Sequence, residues 1–483
     1  MSVPQRDLRA LARQVMLEEG FAPDVPPAVA AEIAQDRATP AAAARDLRAL
    51  LWSSIDNRES RDLDQIEHAE RLDGGDIRVR VGIADVDARV PAGSATDQYA
   101  EVNATSVYAG VATFPMLPER LSTDLTSLAE GGDRLAVVIE LVVAESGDVR
   151  SSDVYRALVH NYARLDYDSV GAWLAGAAPA PPRVAATAGM MEQIRLQDQA
   201  AGRLRVFRER QGALEFETIE ASVVAVDGKV TDLVVKRKGP ANRLVESFMI
   251  AANITIATFL KRGGVPSIQR AVRTPERWPR IVELAAALGE RLPPEPDVRA
   301  LAAFLDRRRQ ADPAGFPDLS LAVVKLLGAG EYIVEPPGVE VAGHFGLAAR
   351  DYTHATAPNR RYVDLVIQRL AKALLAGRPI PYDAAALEAI ARHCDERDHA
   401  AGQAERRMRK YAAIDLMGRR IGESFDAIVT GVAAKGTFAR LVAPPVEGRI
   451  VQGEAGLDVG DHLRVRLVSV DPDRGFIDFA RLS

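Results

Sequence analysis

Ser54-Ile55-Asp56-Asn57-Arg58-Glu59-Ser60-Arg61-Asp62-Leu63-Asp64-Gln65 leads toward Ile77-Arg78-Val79-Arg80-Val81-Gly82-Ile83, and these two stretches set the character of the chain. The second alternates apolar and basic residues with a period of two, the pattern of a half-buried strand. Residues 135–143 are apolar and Val-rich apart from Glu140, and turn residues follow at 145–148, so a strand and a hairpin are expected there. Residues 191–210, 242–261, 364–376 and 387–419 read as long helices; residues 175–186, rich in Ala and Pro, read as a loop. Strands followed by long helices predict a large α+β central domain over residues 51–415.

Both flanks differ in texture. Upstream, Leu8, Leu11, Val15 and Met16 recur at helical spacing, prolines interrupt at 23–27, a second helix covers 28–35, and Thr39-Pro40 starts a third. Three short helices over residues 1–50 predict a small helix-turn-helix-like module, or a structural lid. Downstream, short strands at 428–429, 437–442, 462–470 and 475–479 are punctuated by Gly431, Gly436, Gly448 and Gly460. That spacing predicts an OB-type β-barrel over residues 421–483, with a generic small β-domain as the alternative.

At 483 residues the chain is long enough for two to four domains, and 47% hydrophobic with 27% charged residues is the balance of a soluble globular protein. The N-terminus lacks the apolar core of a signal peptide, and no apolar run reaches membrane-spanning length. Cys394 is the single cysteine, which excludes an internal disulfide framework and suits a reducing compartment, so a cytoplasmic protein is expected. A net charge of −6 does not advertise a nucleic-acid binder. Local basic clusters do occur: Arg203, Arg205, Arg208 and Arg210; Lys236, Arg237, Lys238 and Arg243; Arg406, Arg407, Arg409 and Lys410. Each is equally the solvated face of a helix or turn.

Asp56, Asp62 and Asp64 fall close together, and in extended backbone Asp62 and Asp64 point to one side. Mg²⁺ prefers oxygen ligands from a few carboxylates, with water and phosphate completing its shell. The cluster is therefore a candidate cation site for phosphodiester hydrolysis, or an acidic surface loop with Arg58 and Arg61 as counter-ions. A second candidate is Tyr352-Thr353-His354-Ala355-Thr356-Ala357-Pro358-Asn359-Arg360-Arg361-Tyr362, which precedes an amphipathic helix. With Pro358 in the first turn, Arg360 and Arg361 would sit at the positive end of the helix dipole, unfavourable by roughly 0.3–1 kcal/mol each. Either an anion completes that site, or an arginine pairs with Asp364 or Asp351.

Taken together, the two segments resemble the ribonuclease II / ribonuclease R family of exoribonucleases. The family's Asp-x5-Asp-x-Asp-Asp pattern reads here as Asp56, Asp62, Asp64 and Gln65, and its second signature runs from His344 to Leu365. Val81–Val86 in sequence, Thr105-Ser106-Val107-Tyr108, Phe114-Pro115-Met116-Leu117-Pro118, Gly212-Ala213-Leu214-Glu215-Phe216 and Phe248-Met249-Ile250-Ala251-Ala252-Asn253 continue the likeness across residues 51–415. The C-terminal segment is similar to the family's closing OB-type RNA-binding domain. The resemblance implies a 3′-to-5′ exoribonuclease that hydrolyses single-stranded RNA from its 3′ end to nucleoside 5′-monophosphates, using Mg²⁺ or Mn²⁺. It implies catalytic roles for Asp64, Arg360 and Glu405, and metal positions at Asp56, Asp62, Asp64 and Gln65. Tyr108, Phe216, Glu246 and Arg361 would contact RNA, the two aromatics clamping terminal bases by stacking.

Three departures bear on this. The fourth aspartate is Gln65, which offers only a neutral carbonyl oxygen. Ala357 and Asn359 flank Pro358 in place of Ser and Ile. About fifty residues precede the central domain, too few for the two N-terminal cold-shock domains of typical members, so a short monomeric member is expected, with structured RNA as a further partner of its N-terminal module. The alternative function is a weak or inactive relative acting as an RNA-binding factor; a protein–protein adaptor rests on the N-terminal helices alone.

Overall fold

The computed structural model describes residues 7–35, 44–217, 220–226, 229–236, 238–313, 315–433, 436–472 and 474–482. Helices α1 (Leu8–Glu18) and α2 (Pro27–Ala34) come first. Asp7 caps α1, accepting from the backbone N–H of Arg9 and Ala10 at 3.0 and 3.1 Å. Of the expected stripe, Leu8, Val15 and Met16 are buried in one cluster with Ala12 and with Ala400, Ala401, Ala404 and Met408 from a distant helix, while Leu11 packs against it partly buried, so α1 docks on the main body. The start of the third expected helix, Thr39-Pro40, lies outside the described residues, and Arg45–Asp46 is a short strand, β1.

Next come β2 (Trp52–Asp56), β3 (Gln65–Arg71) and β4 (Ile77–Ala84), then α3 (Ala95–Asn103) and a small hairpin of β5 (Val107–Tyr108) and β6 (Thr113–Phe114). β7 (Asp133–Val143) and the long β8 (Val149–Asp166) complete a six-stranded sheet in the order β1-β8-β2-β3-β4-β7, and pairing of β8 with β7 closes it on itself. The period-two reading of β4 holds: Ile77, Val79, Val81 and Ile83 are fully buried. On the opposite face, Arg78 pairs with Glu70 at 3.2 Å and Arg80 with Glu140 at 2.8 Å. This accounts for the lone acid in the apolar run of β7, since Glu140 also accepts from the Tyr155 hydroxyl at 2.8 Å.

Over this sheet lie α4 (Tyr167–Leu174), α5 (Pro182–Ala186), α6 (Met190–Gln211) and, after the hairpin β9 (Glu220–Val226) and β10 (Lys229–Lys236), α7 (Pro240–Arg262). The segment expected to be a loop thus contains α5, because Pro182 supplies helical φ at the first position. α7 is the one described helix long and apolar enough to cross a membrane, yet 67% of that window is buried in the fold, as befits a core helix.

β11 (Ser267–Ala271) pairs with β12 (Glu331–Glu335), and between them α8 (Trp278–Ala287), α9 (Val298–Ala311) and α10 (Phe316–Leu327) enclose a satellite core around Trp278, Phe304 and Phe316. α11 (Tyr362–Leu375) is buried on nearly every side. Its polar residues are matched: Lys372 pairs with Asp85 and Asp87 at 2.6 Å, and Arg369 with Asp97 at 2.8 Å. α12 (Ala384–Met417) spans 34 residues, about 50 Å at 1.5 Å per residue, and touches α1, the hairpin and the barrel in turn.

The C-terminal barrel closes in the order β13 (Ser424–Ala433), β14 (Gly436–Leu441), β15 (Glu447–Gln452), β17 (Phe476–Arg481), β16 (His462–Asp471). Gly448, read from sequence as punctuation, lies inside β15. A Cβ there would stand 2.5 Å from the Ile477 carbonyl oxygen, so the two strands approach only because the side chain is absent.

Candidate active site

Five segments surround one cavity of about 480 Å³. The end of β2 and the irregular link to β3 supply Asp56, Asn57, Ser60, Asp62 and Gln65; β5 supplies Tyr108; the start of α4 supplies Tyr167. Lys238 and the first half of α7 supply Asn242, Val245, Glu246 and Met249, and the turn before α11 supplies Thr356 and Arg360. Asp56 is held in place by its own neighbours, its Oδ1 accepting from the Asn57 N–H at 2.6 Å and the Ser60 hydroxyl at 2.8 Å.

Asp64 stands behind the wall. Its Oδ1 accepts from the Asn359 N–H at 3.0 Å and its Oδ2 from Arg360 Nε at 3.2 Å. Burial pushes this carboxyl up to about 7, and the negative charges of Asp62 and Asp364 add to the rise, while Arg360 and the Asn359 N–H oppose it. Asp62 is raised in the same direction, first by burial and further by Asp56. Arg360 keeps 45% of its side chain exposed, so the guanidinium that Asp64 anchors is open to the cavity.

The backbone ties the segments together. Ser106 N–H donates to the Arg360 carbonyl at 3.0 Å and Tyr362 N–H to the Ala104 carbonyl at 2.8 Å, so the segment leading to Tyr108 and the turn carrying Arg360 are hydrogen-bonded to each other. From α12, Glu405 Oε1 accepts the Tyr108 N–H at 3.0 Å. Gly110 at the hairpin tip has φ +78°, and a Cβ there would lie 2.9 Å from Val223. Tyr108 itself presents 46% of its surface.

The chain matches the RNB domain family over residues 44–377 and the RNase II-type exonuclease C-terminal S1 domain over residues 423–482. It belongs to the RNB family. It is 31% identical over 466 residues to Ribonuclease R of Aquifex aeolicus, a match covering 90% of this chain and 64% of that protein. Against Ribonuclease R 1 of Lactococcus lactis subsp. lactis the identity is 30% over 468 residues, covering 90% and 56% respectively. The chain thus spans between about half and two thirds of the length of these curated relatives. The fold is similar to that of Mycoplasma genitalium RNase R in complex with ribose methylated single-stranded RNA, with a TM-score of 0.87 at 21% identity, covering 99% of this chain and 78% of that one. It is also similar, at a TM-score of 0.69 and 17% identity, to yeast Ssd1, a pseudonuclease, covering 93% and 56%.

On this RNB fold, Asp56, Asp62, Gln65, Tyr108, Glu246 and Arg360 share the cavity wall. Four other expected site residues do not. Asp64, expected beside Asp62 at the metal, is instead buried behind the wall, its carboxylate held by the Asn359 N–H and by Arg360, while Asp62 lines the cavity. Glu405 reaches the backbone of Tyr108 and is absent from the wall. Phe216 packs against the satellite core of Trp278 and Phe304, and so forms no clamp with Tyr108 here. Arg361 is engaged by Asp364 through Nε and Nη2, both at 2.9 Å, which realises the ion-pair alternative. Pro358 lies in the turn ahead of α11, whose first residue is Tyr362.

Tyr167 is a wall residue that the sequence did not single out, as are Ser60, Asn242, Val245 and Thr356. Asp56 on β2 is registered with Asp166 on β8, which places the next residue, Tyr167, at the cavity. The available signal was a helix start, Asp166 capping the Ser169 N–H at 2.9 Å, at the end of a strand. Lys238, in sequence a member of a basic cluster, places its ammonium 2.8 Å from Glu246 on the wall.

Proposed function

We propose that this chain is a 3′-to-5′ exoribonuclease that hydrolyses single-stranded RNA to nucleoside 5′-monophosphates with Mg²⁺ or Mn²⁺. The observation that carries the reading is the convergence of Asp56, Asp62 and Arg360, from segments roughly three hundred residues apart in sequence, on one cavity with two tyrosines in its wall. A purely structural arginine would be buried against its carboxylate; Arg360 is anchored by Asp64 and still open.

The residues present fit a hard divalent cation. Asp56 raises the proton affinity of Asp62, a repulsion that a bound cation relieves. Among the described residues no three acidic or histidine side chains already close around one point. That suits Mg²⁺, which takes one or two carboxylates and completes its octahedron with water and substrate phosphate. Asp56 and Asp62 would hold it, with the Gln65 carbonyl oxygen beside them. When bound, the cation supplies charge neutralisation at the phosphate and acidifies water.

The chain's own groups do the rest. Arg360 offers a guanidinium fork to the scissile phosphate and stabilises charge as it develops, while Asp64 holds that fork in position. Tyr108 and Tyr167 present ring surface to bases or sugars, a contact that tolerates any sequence. Lys238 and Glu246 satisfy each other at the rim until RNA enters. Gln65 favours a second reading, a weak or inactive RNA-binding relative, because it removes one negative charge from the site. The two separate in one experiment: 5′-labelled single-stranded RNA and a 3′-tailed duplex are incubated with protein and Mg²⁺, and products are resolved by length. A descending ladder with nucleoside monophosphate release supports the exonuclease; tight binding with no cleavage under Mg²⁺ or Mn²⁺, at protein excess, supports the binder.

A further inference from the structure

Position 65, where the family pattern has its fourth aspartate, carries a neutral amide in this chain, and two residues further along β3 stands Glu67. Side chains two apart on a strand share a face. Glu67 therefore lies on the same side of the sheet as Gln65, whose side chain forms part of the cavity wall, one strand repeat of about 7 Å inward. Its register partner on β2 is Ser53, three residues before Asp56. Helix α6 covers this region: Gln197 Nε2 donates to the Glu67 backbone carbonyl at 3.2 Å and to the Ser53 hydroxyl at 3.4 Å.

The side chain itself is out of place for a core position. Glu67 is 0% exposed, and neither carboxylate oxygen has a hydrogen-bond partner among the described residues. Asp56 follows Ser53 by three residues along β2, toward the Gln65 end of β3, and its own register partner Asp166 immediately precedes Tyr167 on the cavity wall. An unpaired carboxylate in that setting is costly to the fold unless a cation meets it. A glutamate is also one methylene longer than an aspartate, which partly offsets its more inward position.

We infer that Glu67 is a cation-binding carboxylate of this site, taking over from position 65 and joining Asp56 and the Gln65 carbonyl oxygen around a divalent metal. The inference rests on the proposed function only in needing a divalent cation beside Asp56. The test is Mn²⁺ binding to the full chain without RNA, followed by calorimetry and by the electron paramagnetic resonance signal of free Mn²⁺. Glu67→Gln is expected to weaken Mn²⁺ binding by about tenfold or more. The double variant Gln65→Asp with Glu67→Gln, which returns the carboxylate to the family position, is expected to recover it.

Unchanged affinity in Glu67→Gln would overturn the inference and leave Glu67 as a protonated core acid. Lost affinity that the double variant does not recover would overturn it too, marking Glu67 as packing alone. Should Glu67→Gln fold poorly, Gln65→Asp by itself decides: affinity rises if position 65 faces the ion beside Glu67, and stays unchanged if it does not. Monophosphate release by the wild-type chain is scored in parallel. Ribonuclease activity with metal binding indifferent to Glu67 sinks this inference alone, whereas no Mn²⁺ binding in the wild type sinks it together with the metal-dependent mechanism.

Discussion

Replacing Asp64 with Asn should make the protein more stable and nearly inactive at once. Asp64 is fully buried as a carboxylate, and burial pushes it up to about 7 from an ordinary 3.8. Keeping it ionised at alkaline pH therefore costs the folded state up to roughly 4 kcal/mol, at about 1.4 kcal/mol per pH unit. Because the folded-state value lies above the unfolded one, the native chain binds this proton more tightly. Its stability falls as pH rises from about 4 to about 7, with the full cost present above that. The amide of Asn carries no such cost, and its oxygen can still accept the Asn359 N–H. What it loses is the charged partner of Arg360, and that loss is small in folding terms, because a guanidinium 45% exposed relaxes into cavity water. In turnover the loss is large: an unanchored Arg360 forfeits electrostatic stabilisation worth about 10²–10³ in rate. The assay pairs thermal unfolding in EDTA at pH 5 and pH 8 with single-turnover RNA cleavage in Mg²⁺. The expected result is a higher unfolding midpoint for Asp64→Asn at pH 8, a smaller gap at pH 5, and RNA affinity within a few fold of wild type. A variant less stable than wild type at pH 8, or one that cleaves normally, refutes the reasoning.

Arg361→Ala leaves the buried Asp364 without its guanidinium and should cost about 3–5 kcal/mol in chemical denaturation, whereas Arg360→Ala should leave the unfolding midpoint nearly unmoved and abolish cleavage. Tyr108→Ala should weaken single-stranded RNA binding by about 1–3 kcal/mol in fluorescence anisotropy. Phe216→Ala, in the satellite core, should lower stability by about 1–3 kcal/mol and leave affinity alone; the reverse pattern would show that Phe216 moves to the cavity when RNA binds. His68 is held down to about 4 by burial and by Arg80, so the folded state resists protonation. Stability should be complete above about 6.5 and decline as pH falls from there to about 4, by up to roughly 3 kcal/mol. His68→Gln should flatten that limb of the pH–stability curve.

Local periodicity carried the parts of the fold that depend on it. The alternation in β4 and the long apolar-striped helices were legible because each pattern is written within a few turns or strand residues. The closed sheet was not. It depends on β8 pairing with β7 over its first part and with β2 over its last, a choice made by distant segments rather than by β8. β15 was missed for a related reason, since Gly448 ordinarily signals a turn and here permits two strands to approach. Tyr167 owes its place to the register of Asp56 with Asp166, a relation that exists only after the sheet has formed.

The arginine pair shows how far a correct local argument reaches. Two cations at a helix start pointed to a missing anion, and that deficit is real, but the structure assigns it unequally. α11 begins at Tyr362, so its first-turn acid is Asp364, which takes Arg361 in a bidentate pair and cancels its charge locally. Among the described residues Arg360 pairs with Asp64, a carboxylate whose ionised form the surroundings disfavour. Any proton that Asp64 keeps leaves the positive charge of Arg360 uncompensated at the cavity wall. On the proposed function, an entering phosphate would supply that compensation without displacing a strong ion pair, since Asp64 holds Arg360 through Nε and the side chain remains 45% exposed. On that reading, the weakness of one buried carboxylate is what would leave the neighbouring guanidinium free to take an anion.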